Sequence, residues 1–191
     1  MGLPEMSLAD RYAEVQRRIS EAARSAGREA EDITLIAVSK RQPEALLVEL
    51  AALGHRDFGE NMIQAWRSRL EIPGLESARW HLIGGGQTNK AKFIARTPPA
   101  CLHTVDRLGL IDALEARLTP GSPLDVLLQV NVDREPQKSG CLPEELDALM
   151  DAAASAPTLR VRGLMAIPRP TDSGPPMGAF EAMGGLLSRV S

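Results

Sequence analysis

Two spacings of apolar residues alternate along the chain: short unbroken runs, and longer stretches where apolar side chains recur every three or four positions. The first is the pattern of a strand covered on both faces, and the second that of a helix with one buried stripe. Ile33-Thr34-Leu35-Ile36-Ala37-Val38 runs without alternation and predicts such a strand. Ser39-Lys40 stands at its carboxyl end, and Pro43 opens the next helix. Ahead of it, Ser7 and Asp10 resemble a capping box, and Leu8, Tyr12, Val15, Ile19 and Ala22 share one helical face that Gly27 would end.

The alternation continues to the last residues. A helical face of Leu46, Leu47, Leu50 and Leu53 is followed by a strand at 56–59, with Glu60-Asn61 at its end. Met62, Ile63, Trp66 and Leu70 predict a helix, 79–83 a third strand, and 88–95 a short helix after Gly84-Gly85-Gly86. The fourth strand is expected at 100–105, with Asp106 placed to cap the helix that carries Leu108, Ile111, Leu114 and Leu118. A fifth strand is expected at 125–132, then a helix opened by Pro143, a sixth strand at 159–167, and a last helix from Met177. One helix and six strand–helix units imply parallel strands joined by right-handed crossovers. A doubly wound sheet could finish with six strands, whereas a (β/α)8 barrel would still lack two units, and periodicity alone does not choose.

Composition narrows the class. At 191 residues, 43% hydrophobic and 25% charged, the chain reads as one soluble globular domain spanning 1–191. A net charge of −3 supplies no attraction to nucleic acid or to an anionic membrane. The aromatic residues Tyr12, Phe58, Trp66, Trp80, Phe93 and Phe180 are too few and scattered for a base-stacking platform. Cys101 and Cys141 lack a disulfide framework or C-x-x-C spacing. No signal pattern opens the chain and no apolar run approaches a membrane span, so a cytoplasmic location is expected.

Polar groups collect at the strand ends: Lys40, Glu60-Asn61, the 84–90 segment, Asp106 and Asn131, with Met165 near the end of the sixth strand. Such a ring suggests a small-ligand site at the carboxyl rim. Of these groups Lys40 alone offers a nucleophilic amine at the end of a buried strand, and partial burial promotes the neutral amine that a Schiff base requires. Taken alone, a lysine ending a strand is as readily a solvated surface group. The segment Gly84-Gly85-Gly86-Gln87-Thr88-Asn89-Lys90 fails as a P-loop, because no Gly directly precedes Lys90 and no Ser or Thr follows it. His81 reads as a strand histidine in the core, and no Cys/His spacing suggests a metal.

Eight segments taken together resemble the pyridoxal phosphate homeostasis proteins. They are Ala37-Val38-Ser39-Lys40, Arg56-Asp57-Phe58-Gly59-Glu60-Asn61, Trp80-His81-Leu82-Ile83-Gly84, Gln87-Thr88-Asn89-Lys90, His103-Thr104-Val105-Asp106-Arg107, Gln129-Val130-Asn131, Lys138-Ser139-Gly140 and Arg162-Gly163-Leu164-Met165-Ala166-Ile167-Pro168. They occur in family order over nearly the whole chain. The resemblance implies an α/β fold of the (β/α)8 TIM-barrel type, related to the barrel half of alanine racemase. It also implies pyridoxal 5′-phosphate (PLP) held as a Schiff base on Lys40, with Asn61 and Met165 near the cofactor and His81 beneath its ring. The implied role is intracellular PLP homeostasis by a monomer that carries the cofactor without catalysis, with apo forms of PLP-dependent enzymes as candidate recipients.

The sequence departs from the family in two places. Gly86 stands where the family carries a bulky aliphatic residue, and the chain stops at Ser191. The family's later Ser-Met-Gly-Met-Ser-type and Arg-Ile-Gly-type segments, which by resemblance form strands seven and eight with the phosphate cradle, are missing. The expectation is therefore an incomplete barrel of about six units with unpaired edges at its first and sixth strands and a weakly anchored phosphate. Two other readings stay open: a racemase-like PLP enzyme, and a shortened family member with weak or no PLP binding. The racemase reading meets a difficulty, since the acid/base tyrosine of related racemases comes from a second domain and Tyr12 here lies in the opening helix.

Overall fold

The structure, a computed structural model, describes residues 6–85, 88–171 and 174–190. Gly86 and Gln87, which carry one of the sequence departures and part of one family segment, lie outside the described residues. The element order is α1 (Leu8–Ser25), β1 (Ala37–Val38), α2 (Glu44–Ala52), β2 (Asp57–Glu60), α3 (Ile63–Arg69), β3 (Arg79–Leu82), α4 (Ala91–Arg96), β4 (Cys101–Val105), α5 (Leu108–Glu115), β5 (Leu124–Gln129), α6 (Leu146–Ala154), β6 (Leu159–Met165) and α7 (Met177–Val190). The strand order is β1-β2-β3-β4-β5-β6. A doubly wound sheet reverses its order at a switch point, whereas each strand here pairs with the next in sequence, which is the order of a (β/α)8 barrel. The chain divides into two compact units, one ending at Glu60 and resuming over Gln64–Trp80, the other made of Asn61–Ile63 and the chain from His81 onward.

In the first unit, α1 begins with the expected capping box. Ser7 Oγ accepts from the Asp10 amide at 3.1 Å, and the Asp10 carboxylate accepts from the Ser7 amide at 3.3 Å. The helix stops at Gly27, whose φ of 66° lets its amide reach the Arg24 carbonyl while the Arg28 amide reaches that of Ala23. The packed face differs from the expected one: Val15 and Ala22 are exposed, and Ala23 is buried below half-buried Tyr12 and Ile19. The reason is a polar anchor. His55 Nε2 lies 2.7 Å from the Asp57 carbonyl and must donate to it, leaving Nδ1 to accept from the Tyr12 hydroxyl at 3.2 Å. Tyr12, His55, Phe58 and Trp80 then follow in successive ring contacts of 5.1–5.4 Å between centroids.

The 33–38 run is not the doubly covered strand that its composition predicts. Only Ala37 and Val38 pair, in parallel with Phe58 and Gly59 of β2, and Val38 is 45% exposed. β1 ends the strand order with a single partner, so nothing extends the ladder back over 33–36. Ile33, Thr34 and Leu35 instead line an open cavity of about 450 Å³ with Tyr12, Ile19 and His55.

In the second unit the sheet has two unlike faces. Leu102 pairs with Val126 and Val126 with Val161, and Leu82, Leu102, Val126 and Leu128 are almost completely buried. The helices add buried Ile94, Leu110, Leu114, Leu146 and Leu149. Alternation along the strands puts His81, Cys101, His103 and Asp125 on the opposite face. Asp125 there pairs with Arg160 and, at 3.7 Å, with Arg162, the residue skipped by the β5–β6 bulge. Asp106 does not cap α5 as expected; its carboxylate accepts from the Gly140 amide at 3.3 Å and pairs with Arg107, so the long β5–α6 loop takes up the group instead.

Candidate functional site

Lys40 lies in the turn that leaves β1. The turn is closed by the Gln42 amide donating to the Ser39 carbonyl at 3.0 Å, with Lys40 and Arg41 between them. Ser39 is fully buried and fixes the base: its amide donates to the Gly59 carbonyl at 2.9 Å and its hydroxyl to the buried Glu60 carboxylate at 2.9 Å. Lys40 itself is exposed and, among the described residues, has no hydrogen bond, ion pair or ring contact. The other three lysines of the chain are engaged. Lys138 donates to the carbonyls of Ile167 and Pro168 at 3.1 and 3.2 Å, and Lys90 and Lys92 lie against the Phe93 ring at 5.9 and 5.0 Å. Among the four lysines, Lys40 is therefore the one left available by its described surroundings.

Arg41 holds this turn in a left-handed conformation, with φ 61°. That costs a non-glycine residue about 1–2 kcal/mol, and such strain gathers at functional positions. Glycine would avoid it at an entropic cost of about 0.5–1 kcal/mol. Arg41→Gly is therefore expected to raise stability in urea unfolding by at most about 1 kcal/mol. A marked loss would mean that the arginine side chain, rather than the backbone, holds the turn.

Asn61, just after β2, and His81, within β3, both belong to the second unit. Asn61 is exposed just after β2, and its carbonyl packs so tightly on Gly84, two residues past β3, that a Cβ there would sit 1.9 Å from the oxygen. Thr104 at the end of β4 donates to the Gly84 carbonyl at 2.7 Å and steadies the same turn. Met165 stands apart from both. It ends β6, three strands on, half-buried, beside Gln129 in register.

Around Met165 the structure reveals groups whose roles sequence reasoning missed. Gln129 is 4% exposed; its amide nitrogen donates to the Ser139 carbonyl at 3.1 Å, and its Oε1 is buried without a partner. An orphaned buried acceptor is costly in isolation and marks a place where a ligand or water donor fits. Asn131 organises the loop beyond, accepting from the Glu135 amide at 3.0 Å and donating to the Glu135 carbonyl at 2.8 Å. Lys138 then clasps the end of β6 while pairing with Glu135. The segments Gln129-Val130-Asn131 and Lys138-Ser139-Gly140 were the available signal, since both fall where a polar loop must fold back on a strand end.

His81 is not an isolated core histidine. Its Nδ1 lies 2.9 Å from His103 Nε2, with the rings near perpendicular at 78°. Burial, and then the neighbouring His81, push His103 down to about 4, so this imidazole is neutral at pH 7. Burial and the Asp125 carboxylate push the adjacent Cys101 thiol up to about 12, against a smaller opposing effect of Arg162.

Comparison with known proteins places this arrangement. Residues 12–183 match the model of the alanine racemase N-terminal domain. A pyridoxal phosphate homeostasis protein of Pseudomonas aeruginosa is 47% identical over 167 residues, covering 86% of this chain and 72% of its own length. The Escherichia coli K12 protein of the same name is 42% identical, covering 85% and 71%. PipY of Synechococcus elongatus, solved with PLP bound, superposes with a TM-score of 0.69 at 29% identity over 90% of this chain and 81% of that one. The chain has the α/β, TIM-barrel-type fold of the alanine racemase N-terminal domain, and it belongs to the pyridoxal phosphate homeostasis protein family.

Proposed function

We propose that this chain, acting as one domain over 1–191, binds PLP and serves intracellular PLP homeostasis, carrying the cofactor as a Schiff base on Lys40. The observation that carries this reading is the uncommitted Lys40 amine, held in a strained turn on a buried Ser39–Glu60 base. PLP supplies an aldehyde that condenses with a lysine amine and releases water. The chemistry at the end of β1 fits such a group, because Lys40 presents there an amine with no hydrogen bond or ion pair among the described residues. Asn61, Met165 and His81 are the further residues proposed to contact it.

The proposal assigns the chain a carrier role rather than catalysis. Racemisation needs an acid/base group facing the lysine. The single tyrosine, Tyr12, is engaged with His55 at the foot of α1. Apo PLP-dependent enzymes are the proposed recipients, the protein acts as a monomer, and the cytoplasm is the proposed location. No helix among the described residues is long and apolar enough to cross a membrane.

The test combines peptide mapping and turnover. Incubation with PLP followed by borohydride is expected to place one pyridoxyl group on the peptide containing Lys40, and alanine and serine enantiomers are expected to remain unconverted. Racemisation would overturn the carrier assignment, and a pyridoxyl group confined to Lys90, Lys92 or Lys138 would overturn the site.

A further inference from the structure

We propose that His81, Cys101 and His103 form a binding site for a zinc-type divalent ion. His81 and Cys101 are register partners on β3 and β4, and His103 follows two residues later on β4. All three therefore project from one face of the sheet. One ligand atom from each, imidazole nitrogen or Sγ, lies within 4.8 Å of the other two. Zinc binds histidine nitrogen at about 2.0–2.1 Å and cysteine sulfur at about 2.3 Å, so tetrahedral ligands stand about 3.5 Å apart. The 2.9 Å histidine pair must open slightly, and the thiol must close from within 4.8 Å toward about 3.5 Å, a movement that side-chain torsion supplies.

The donor set selects the ion. Two imidazoles and a sulfur suit zinc and its neighbours in the first transition row, whereas magnesium and calcium require oxygen ligands. Both histidines are half-exposed, giving the ion an entry path and leaving a fourth position for water, the pattern of an open three-ligand centre. Asp125, held by Arg160 and Arg162 on the same face and close enough to act on the Cys101 thiol, is an acidic group placed to serve as an outer partner. Binding breaks the S–H bond of Cys101, forms a metal–sulfur bond and releases that proton to solvent. The imidazoles bind as neutral ligands, the shared N–H hydrogen moving to the other nitrogen of its own ring. No oxidant or reductant takes part.

The site needs no lysine; it shares His81 with the residues proposed to contact PLP, so the titration is made on the PLP-free chain. The experiment titrates the metal-free, reduced full chain with cobalt(II) as a spectroscopic probe, then displaces it with zinc(II). One saturable equivalent is expected, with the visible bands of tetrahedral cobalt and a thiolate-to-cobalt charge-transfer band. Cys101→Ser should remove the charge-transfer band, and Cys101→Ser and His103→Gln should each weaken binding by at least about 100-fold, the upper end of what even outer partners cost. Cys141→Ser and Lys40→Ala should leave the titration unchanged. Absence of saturable binding would overturn the proposal, as would binding that survives both Cys101→Ser and His103→Gln or is lost in Cys141→Ser. Circular dichroism of each variant separates ligand loss from unfolding, and a misfolded Cys101→Ser leaves His103→Gln to decide.

Discussion

Lys40→Ala, treated with PLP and borohydride, is expected to carry no pyridoxyl group, while the unaltered chain carries one. The expected loss at lysine is total rather than graded, because the other three lysines are engaged. Forming an imine at Lys138 would forfeit two carbonyl contacts and the Glu135 pair, leaving a carboxylate that is 10% exposed with only Arg169 and Gln137 beside it. Hydrogen bonds to charged groups are worth about 1.5–3 kcal/mol each, so that exchange is uphill. Lys90 and Lys92 would give up their contacts with the Phe93 ring. Lys40 gives up nothing comparable when it condenses. Absorbance of the adduct and intact mass together check the result, and an adduct of undiminished stoichiometry in Lys40→Ala would show that the turn after β1 is not the carrier.

Gly84→Ala is expected to destabilise the chain by about 3 kcal/mol, the upper part of the range for overpacking a well-filled site. The added carbon would stand 1.9 Å from the Asn61 carbonyl oxygen and 2.5–2.6 Å from two further backbone atoms of that residue. Flexible side-chain ends move aside cheaply, but here every opposing atom is main chain. Relief must come from shifting the turn after β2 or the one after β3, and the second is also tied to Thr104. For a chain of this size the melting midpoint should fall by about 10 °C. Calorimetry measures it directly. An unchanged midpoint would mean that the two turns separate easily and that Asn61 is less firmly placed than its contact indicates.

Much of the architecture was legible because parallel strands and amphipathic helices leave different periodicities, and the six units follow from that alternation. The choice between barrel and doubly wound sheet was not, since it depends on which strands become neighbours, and only the strand order resolves it. The 33–38 run shows the limit of composition: an apolar stretch encodes a wish for burial, whereas pairing requires partners on both sides, and β1 has one. On α1 a single hydrogen bond from Tyr12 to His55 turned the packed stripe by one residue, a specific polar contact that no hydrophobic count detects. Lys40 could be read at once, as the end of a strand followed by Pro43. His103 could not be joined to His81, because 22 positions separate them in sequence and only the β3–β4 register brings their nitrogens together.

The aromatic stack of the first unit has a practical consequence. Both tryptophans of the chain, Trp66 and Trp80, lie in that unit, and both are buried, at 0% and 4% exposure. Intrinsic emission therefore watches that unit's core, and opening of the other can pass in silence. A fluorescence trace that lags behind ellipticity during heating would report two halves letting go at different temperatures.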